Sequence, residues 1–117
     1  MRTPLAESVP SVLFVGMERD FIDTFRKDFA AVMALSVAHS AAARERIPVT
    51  RPLVVVVASN VGKDELQDLV DVATAVGAEV IRMPGEVATP IGYFRIKKAM
   101  IEALDRRRGE VSQRSRR

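Results

Sequence analysis

The sequence predicts a three-layer α/β/α domain built on a four-stranded parallel sheet of spatial order 2-1-3-4. Three observations carry that expectation. Leu53-Val54-Val55-Val56-Val57 is a run of five branched aliphatics, which leaves no polar face for water and so describes a strand covered on both sides. Val12-Leu13-Phe14-Val15 is a second all-apolar run. Around these two, segments of strand character alternate with segments of helical period in the order β-α-β-α-β-α-β-α, the pattern of a parallel sheet with crossover helices.

Taken in order, Met1 to Pro10 contains no apolar run of the kind a signal peptide needs and is expected to be a disordered leader. Val12–Val15 is the first strand, ended by Gly16-Met17. From Glu18 the period changes: Phe21, Ile22, Phe25 and Phe29 recur at helical spacing, with Glu18 and Asp20 in the first turn where the helix dipole favours carboxylates. Leu35-Ser36-Val37-Ala38 alternates, as a half-covered rim strand does. His39, the only histidine, follows as a loop residue at the sheet rim with no catalytic partner nearby in sequence. Ser40 is placed to cap a short helix from Ala41 to about Ile47, before Pro48 and Pro52 turn the chain out of it.

The strand Leu53–Val57 ends in Ala58-Ser59-Asn60. Lys63 then opens an amphipathic helix with Leu66, Leu69, Val70, Ala73 and Val76 on its apolar face, which Gly77 stops. Gly62-Lys63 is not a phosphate-binding loop: that motif needs a glycine five residues earlier and a hydroxyl after the lysine, where Val57 and Asp64 stand. Glu79–Pro84 reads as a fourth, mixed strand. Thr89-Pro90 is a helix start, and the last helix runs through Tyr93, Phe94, Ile96, Met100, Ile101 and Leu104 into a cluster of arginines. The two all-apolar strands belong in the middle and the two mixed ones at the rims. The result is a flavodoxin-like winding with one strand fewer than usual.

Composition narrows the function. There are no cysteines, which removes thiol catalysis, thiolate metal sites and disulfides, and fits a cytoplasmic location. The formal net charge of +3 is unevenly spread. Residues 105–117 hold six arginines against Asp105 and Glu110, while the rest of the chain has 12 basic and 13 acidic side chains. The folded part is therefore not a basic body that neutralises phosphates. Residues 106–117 read as a basic, disordered tail, the only segment through which nucleic acid could be contacted. No apolar run is long enough to cross a membrane, and no pattern calls for a cofactor.

Residues 11–105 resemble the receiver domain of bacterial response regulators. Val12-Leu13-Phe14-Val15-Gly16-Met17-Glu18-Arg19-Asp20-Phe21 is similar to the receiver opening, a hydrophobic strand leading to an acidic pair and a helix start. Here Gly16-Met17 replaces the acidic pair. Gly77-Ala78-Glu79-Val80-Ile81-Arg82-Met83-Pro84 is similar to the late receiver segment that carries a lysine before proline, and Met83 stands at the lysine position. The run Arg51–Val57 resembles the strand leading to the phosphoacceptor aspartate, whose place Ala58 takes. A second alignment makes this strand the receiver's fourth, with Ala58-Ser59 matching its Thr/Ser-Ala pair. In both, one strand-helix unit is missing and no acceptor aspartate remains.

Aspartyl phosphorylation needs carboxylates for Mg²⁺, an aspartate that attacks and a lysine that neutralises the phosphoryl oxygens. Gly16, Met17, Ala58 and Met83 supply none of these, so the resemblance implies a pseudo-receiver: no enzyme, no catalytic residues, no metal and no cofactor. The expected function is a protein-protein interaction module in bacterial signalling, including self-association as a homodimer. The alternative is a small-ligand-sensing or nucleic-acid-binding flavodoxin-like domain. A phosphocarrier of sugar transport would share the sheet order but needs a cysteine after the first strand, where Gly16-Met17-Glu18 stands. The expected interaction face joins the open edge of the fourth strand, at Val80 and Arg82, to the last helix at Tyr93, Phe94, Met100 and Ile101, whose apolar residues exceed a single stripe.

Overall fold

The computed structural model describes the backbone of residues 10–83 and 90–115, and the side chains of residues 10–83 and 93–106. Residues 1–9 of the expected leader 1–10, residues 116–117 of the expected tail, and Pro84 and Thr89 lie outside the described residues. The elements are β1 (Ser11–Val15), α1 (Arg19–Asp28), β2 (Met33–Val37), α2 (Ser40–Thr50), β3 (Val54–Val57), α3 (Lys63–Ala75), β4 (Glu79–Arg82) and α4 (Pro90–Ser115). All strand pairs are parallel and the sheet order is β2-β1-β3-β4. This is the expected three-layer, flavodoxin-like arrangement with four strands.

Burial explains the order. Every side chain of β3, and Val12 to Val15 of β1, is at most 1% exposed, which only the two central positions of a covered sheet provide. Their alternate residues serve two cores. Val12, Phe14, Val54 and Val56 pack with Ile22 and Phe25 of α1 and with Ile96, Met100, Ala103 and Leu104 of α4. Leu13, Val15, Val55 and Val57 pack on the other face with Ala43 and Ile47 of α2 and Leu69 and Ala73 of α3. The chain steps one way from β1 to β2 and the opposite way from β2 onward, and α2 and α3 lie on the face opposite α1. All three crossovers therefore share one hand.

The first core is aromatic. Phe14 meets Phe25 edge-on at 4.9 Å between ring centroids and Phe21 at 6.0 Å; Phe25 stacks on Phe29 at 4.5 Å. Such contacts add to the burial of large rings.

Several boundaries differ from the sequence reading. β2 begins at Met33 rather than Leu35, because the amide of Met33 donates to the carbonyl of Pro10 at 2.9 Å and so joins the ladder. α2 does not stop before Pro48 but includes it. Proline in the last turn loses only one intrahelical donor, and the turn is closed by Thr50 Oγ1 on the Arg46 carbonyl at 2.8 Å and by the Arg51 amide on the Ile47 carbonyl at 2.8 Å, with Arg51 in the left-handed region at φ 48°. Ser40 lies inside that helix, and His39 is its cap, accepting from the Ala42 amide at Nδ1. β4 ends at Arg82, although the Met83 amide still reaches the Val57 carbonyl at 2.8 Å. In α3, Leu69 and Ala73 are buried and Leu66, Val72 and Val76 pack beside them, whereas Val70 is outside the core cluster. α4 is helical to Ser115, well into the stretch that composition assigns to a disordered tail.

The weight resting on Phe14, which touches both aromatic neighbours from the central strand, gives a measurable expectation. Phe14→Ala should cost about 3–5 kcal/mol of stability in urea unfolding, whereas Val49→Ala, at a position 76% exposed, should cost less than about 1 kcal/mol.

Candidate functional site

In an open parallel sheet of this order, ligands and chemistry belong at the carboxyl ends of the strands, where the chain direction reverses between β1 and β3. Here that place is formed by Gly16-Met17-Glu18 after β1, Ala38-His39 after β2, Ala58 to Gly62 after β3 and Met83 after β4. Backbone bonds tie these loops together. The Gly16 amide donates to the Val37 carbonyl at 2.9 Å and the Ala58 amide to the Val15 carbonyl at 3.0 Å.

Gly16 has φ +72°, in the left-handed region. A side chain there would sit about 3.5 Å from the Ala58 Cβ and 3.6 Å from the Ala38 carbonyl, which is ordinary contact, so the constraint at this position is backbone conformation rather than space. The loops after β1, β2 and β3 thus converge on a bare Cα.

The side chains at this end are mixed: Glu18 and His39 are exposed, and Asn60 Oδ1 lies 3.9 Å from where a Gly16 Cβ would be. Ala58 and Val61 are each 9% exposed, and Met83 is 2% exposed within the core that holds Phe14 and Met100. Met17 packs against the same core. Ser59 and Asn60 are exposed, and the Ser59 carbonyl accepts from Arg82 Nη2 at 3.3 Å. The four positions read as a lost phosphorylation site are therefore at one end of the sheet, with Gly16 against Ala58 and with Met17 and Met83 in one cluster. Two thioethers, a methyl and a bare Cα offer no hard oxygen ligand for Mg²⁺. Among the described residues no group of three or more His, Cys, Asp or Glu could hold a metal, and no described helix is long and apolar enough to cross a membrane.

The residues of the expected interaction face are dispersed. Met100 is fully buried, so it belongs to the core and is unavailable to a partner. Tyr93 is committed within the chain: its ring meets Phe21 edge-on at 5.2 Å and its hydroxyl donates to Asp28 Oδ2. Lys97 Nζ lies 3.4 Å from the same carboxylate. Phe94 and Ile101 are 66% and 41% exposed, and Ile101 lines a groove of about 280 Å³ with Asp28 to Val32, Leu104 and Asp105. Arg106, which clasps Glu79 of β4 at 2.8 and 3.4 Å, lies about 140° around the helix from Ile101. Phe94 and Ile101 thus border α1, while Val80 and Arg82 lie on the far side of α4. At that edge the amides of Glu79 and Met83 point to β3, so by alternation the backbone groups of Val80 and Arg82 point outward. The sequence reading missed the junction of Tyr93, Asp28 and Lys97. An aromatic with a polar tip on an amphipathic helix was its one signal.

The chain matches no protein-family model, no curated protein and no solved structure.

The junction titrates in a defined direction. Partial burial, followed by the bond to Asp28 and that carboxylate's charge, pushes the Tyr93 hydroxyl well above the ordinary value of 10. The Tyr93 bond, with Lys97, holds Asp28 below its usual range. The contribution of Tyr93 is accordingly present below pH 10 and lost as pH rises through the folded-state pKa; that of Asp28 is present above about pH 4 and lost as pH falls through its lowered pKa. Tyr93 is the only tyrosine and there is no tryptophan, so absorbance at 295 nm reads it alone. In folded protein its ionisation should begin above pH 10, and Asp28→Asn should move the midpoint down toward the ordinary value.

Proposed function

We propose that this protein is a receiver-like interaction module that has exchanged phosphorylation for packing, and that its first partner is a second copy of the same chain. The observation that carries the reading is the set of apolar residues at the strand ends: Met83 is buried in the core, Met17 packs against it and Ala58 is 9% exposed, at the end of the sheet where this fold keeps its chemistry. What supports self-association is the exposed flank of α4. Phe94 and Ile101 are seven residues apart, two turns along one side. Beside them Arg95 and Glu102, both exposed, repeat that spacing. An antiparallel two-fold pairing of α4 with its copy, centred near Lys98, sets Phe94 against Ile101 and Arg95 against Glu102. Lys98 at the centre can lie along the interface and carry its ammonium out to water. The outward backbone of Val80 and Arg82 is a separate surface, suited to strand addition by another partner.

Two measurements test this. Incubation with acetyl phosphate and Mg²⁺ should leave the protein unmodified; an acid-stable, base-labile phosphoprotein would end the pseudo-receiver reading. Light scattering at tens of micromolar should show a dimer that Ile101→Glu abolishes and Phe94→Ala weakens at least tenfold, the loss expected of an aromatic anchor worth about 2 kcal/mol. A monomeric wild type, or folded variants that associate as it does, would refute self-association through α4.

A further inference from the structure

The continuation of α4 beyond the sheet changes the meaning of the arginine cluster. α4 runs antiparallel to the strands, and Arg106 meets Glu79, the first residue of β4. The nine helical residues that follow, 107–115, carry the axis about 13 Å past that end of the sheet. In a disordered tail the arginines would be scattered charges; on a continuous helix their spacing is set. Arg107 and Arg114 are two turns apart on one side, about 10 Å along the axis, close to the about 12 Å width of a duplex major groove whose walls carry the phosphates. Arg108 lies about 100° around the helix from Arg107, and Arg116 and Arg117 follow in sequence.

We propose that this helical arm binds the phosphate backbone of a nucleic-acid duplex. Three features select that partner over other acidic ones. From Arg106 to Arg117 every cation is arginine and none is lysine, the side chain whose planar fork matches phosphate oxygens. Val111 is the one large apolar residue of the segment, too little to anchor a helix in a bilayer or to form the apolar centre of a protein interface. Residues 1–105, with 12 basic and 14 acidic side chains, add no attraction of their own, so the contact is confined to the arm. The inference is independent of the self-association reading.

The experiment is fluorescence anisotropy of a labelled 20-base-pair duplex titrated with full-length protein. Binding should be measurable in 50 mM NaCl and weaken about 40- to 150-fold by 200 mM, the slope of three to four neutralised phosphates. Arg107→Gln/Arg108→Gln/Arg114→Gln should weaken it at least tenfold, and truncation after Arg106 should abolish it. Gly109→Pro keeps every charge and breaks the helix, so it should weaken binding several-fold. The proposal is overturned if the full chain gives no signal at 100 μM in 50 mM NaCl, if the triple or truncated variant binds as the wild type does, if Gly109→Pro has no effect, or if phosphatidylserine vesicles bind the protein and the duplex does not. Circular dichroism on each variant confirms that the sheet domain is folded.

Discussion

The two strands that offer water no face, Val12–Val15 and Val54–Val57, constrain everything else. A strand apolar on both sides must have neighbours in the sheet and a helix layer above and below it. With two such strands the centre is filled, and the mixed strands β2 and β4 are left to the rims. A uniform crossover hand then distributes the helices, α1 and α4 on one face, α2 and α3 on the other. The crevice between the ends of β1 and β3 follows from the same constraint, since it lies where the chain reverses direction across the sheet.

Within that crevice the apolar residues act as a set. Met83 is buried beside Phe14 and Met100, and Ala58 closes on Gly16. A lone carboxylate or ammonium introduced there would lose water without gaining a partner, a cost of several kcal/mol. The backbone adds its own barrier, because at φ +72° Gly16 occupies a region that side chains enter at a cost of about 1–2 kcal/mol. Single charged substitutions at these positions are thus each unfavourable, and a polar site could be built there only by changing several of them together.

The fold was legible because its decisive signals are compositional. Five aliphatics in a row, phenylalanines at helical spacing and a glycine after Ala75 need no knowledge of the partners they meet; Gly77, at φ +81°, ends α3 as its type suggests. What could not be read depended on tertiary geometry. Pro48 marks a helix end by local rules, yet the bonds of Thr50 and Arg51 let the last turn form around it. Met33 joins β2 only because Pro10 presents a carbonyl to it. In α4 the apolar residues exceed one face, and nothing local says whether Met100 or Ile101 turns inward; the sheet decides. Gly16, Met17, Ala58 and Met83 were singled out only through the resemblance, and the strand register sets them at one end of the sheet; Tyr93 gave no sign of being tied down because its partner, Asp28, is distant in sequence.

That rotational choice in α4 has consequences of its own. Ile96, Met100, Ala103 and Leu104 seat the helix on the sheet and so set its rotation broadly. Polar contacts on the two flanks narrow it: Tyr93 and Lys97 hold Asp28 on α1, and Arg106 holds Glu79 on β4. Each is exposed enough to be weak alone. Placed on opposite sides of one helix, they oppose rotation in opposite senses, so their joint effect is to fix the phase of α4. With the phase fixed, Phe94 and Ile101 remain on the α1 side and the free backbone of β4 remains on the other. A single partner helix laid along Phe94 and Ile101 cannot also pair with Val80 and Arg82. The exposed side chains of Phe94 and Ile101 and the outward backbone of Val80 and Arg82 therefore lie on separate surfaces of the domain.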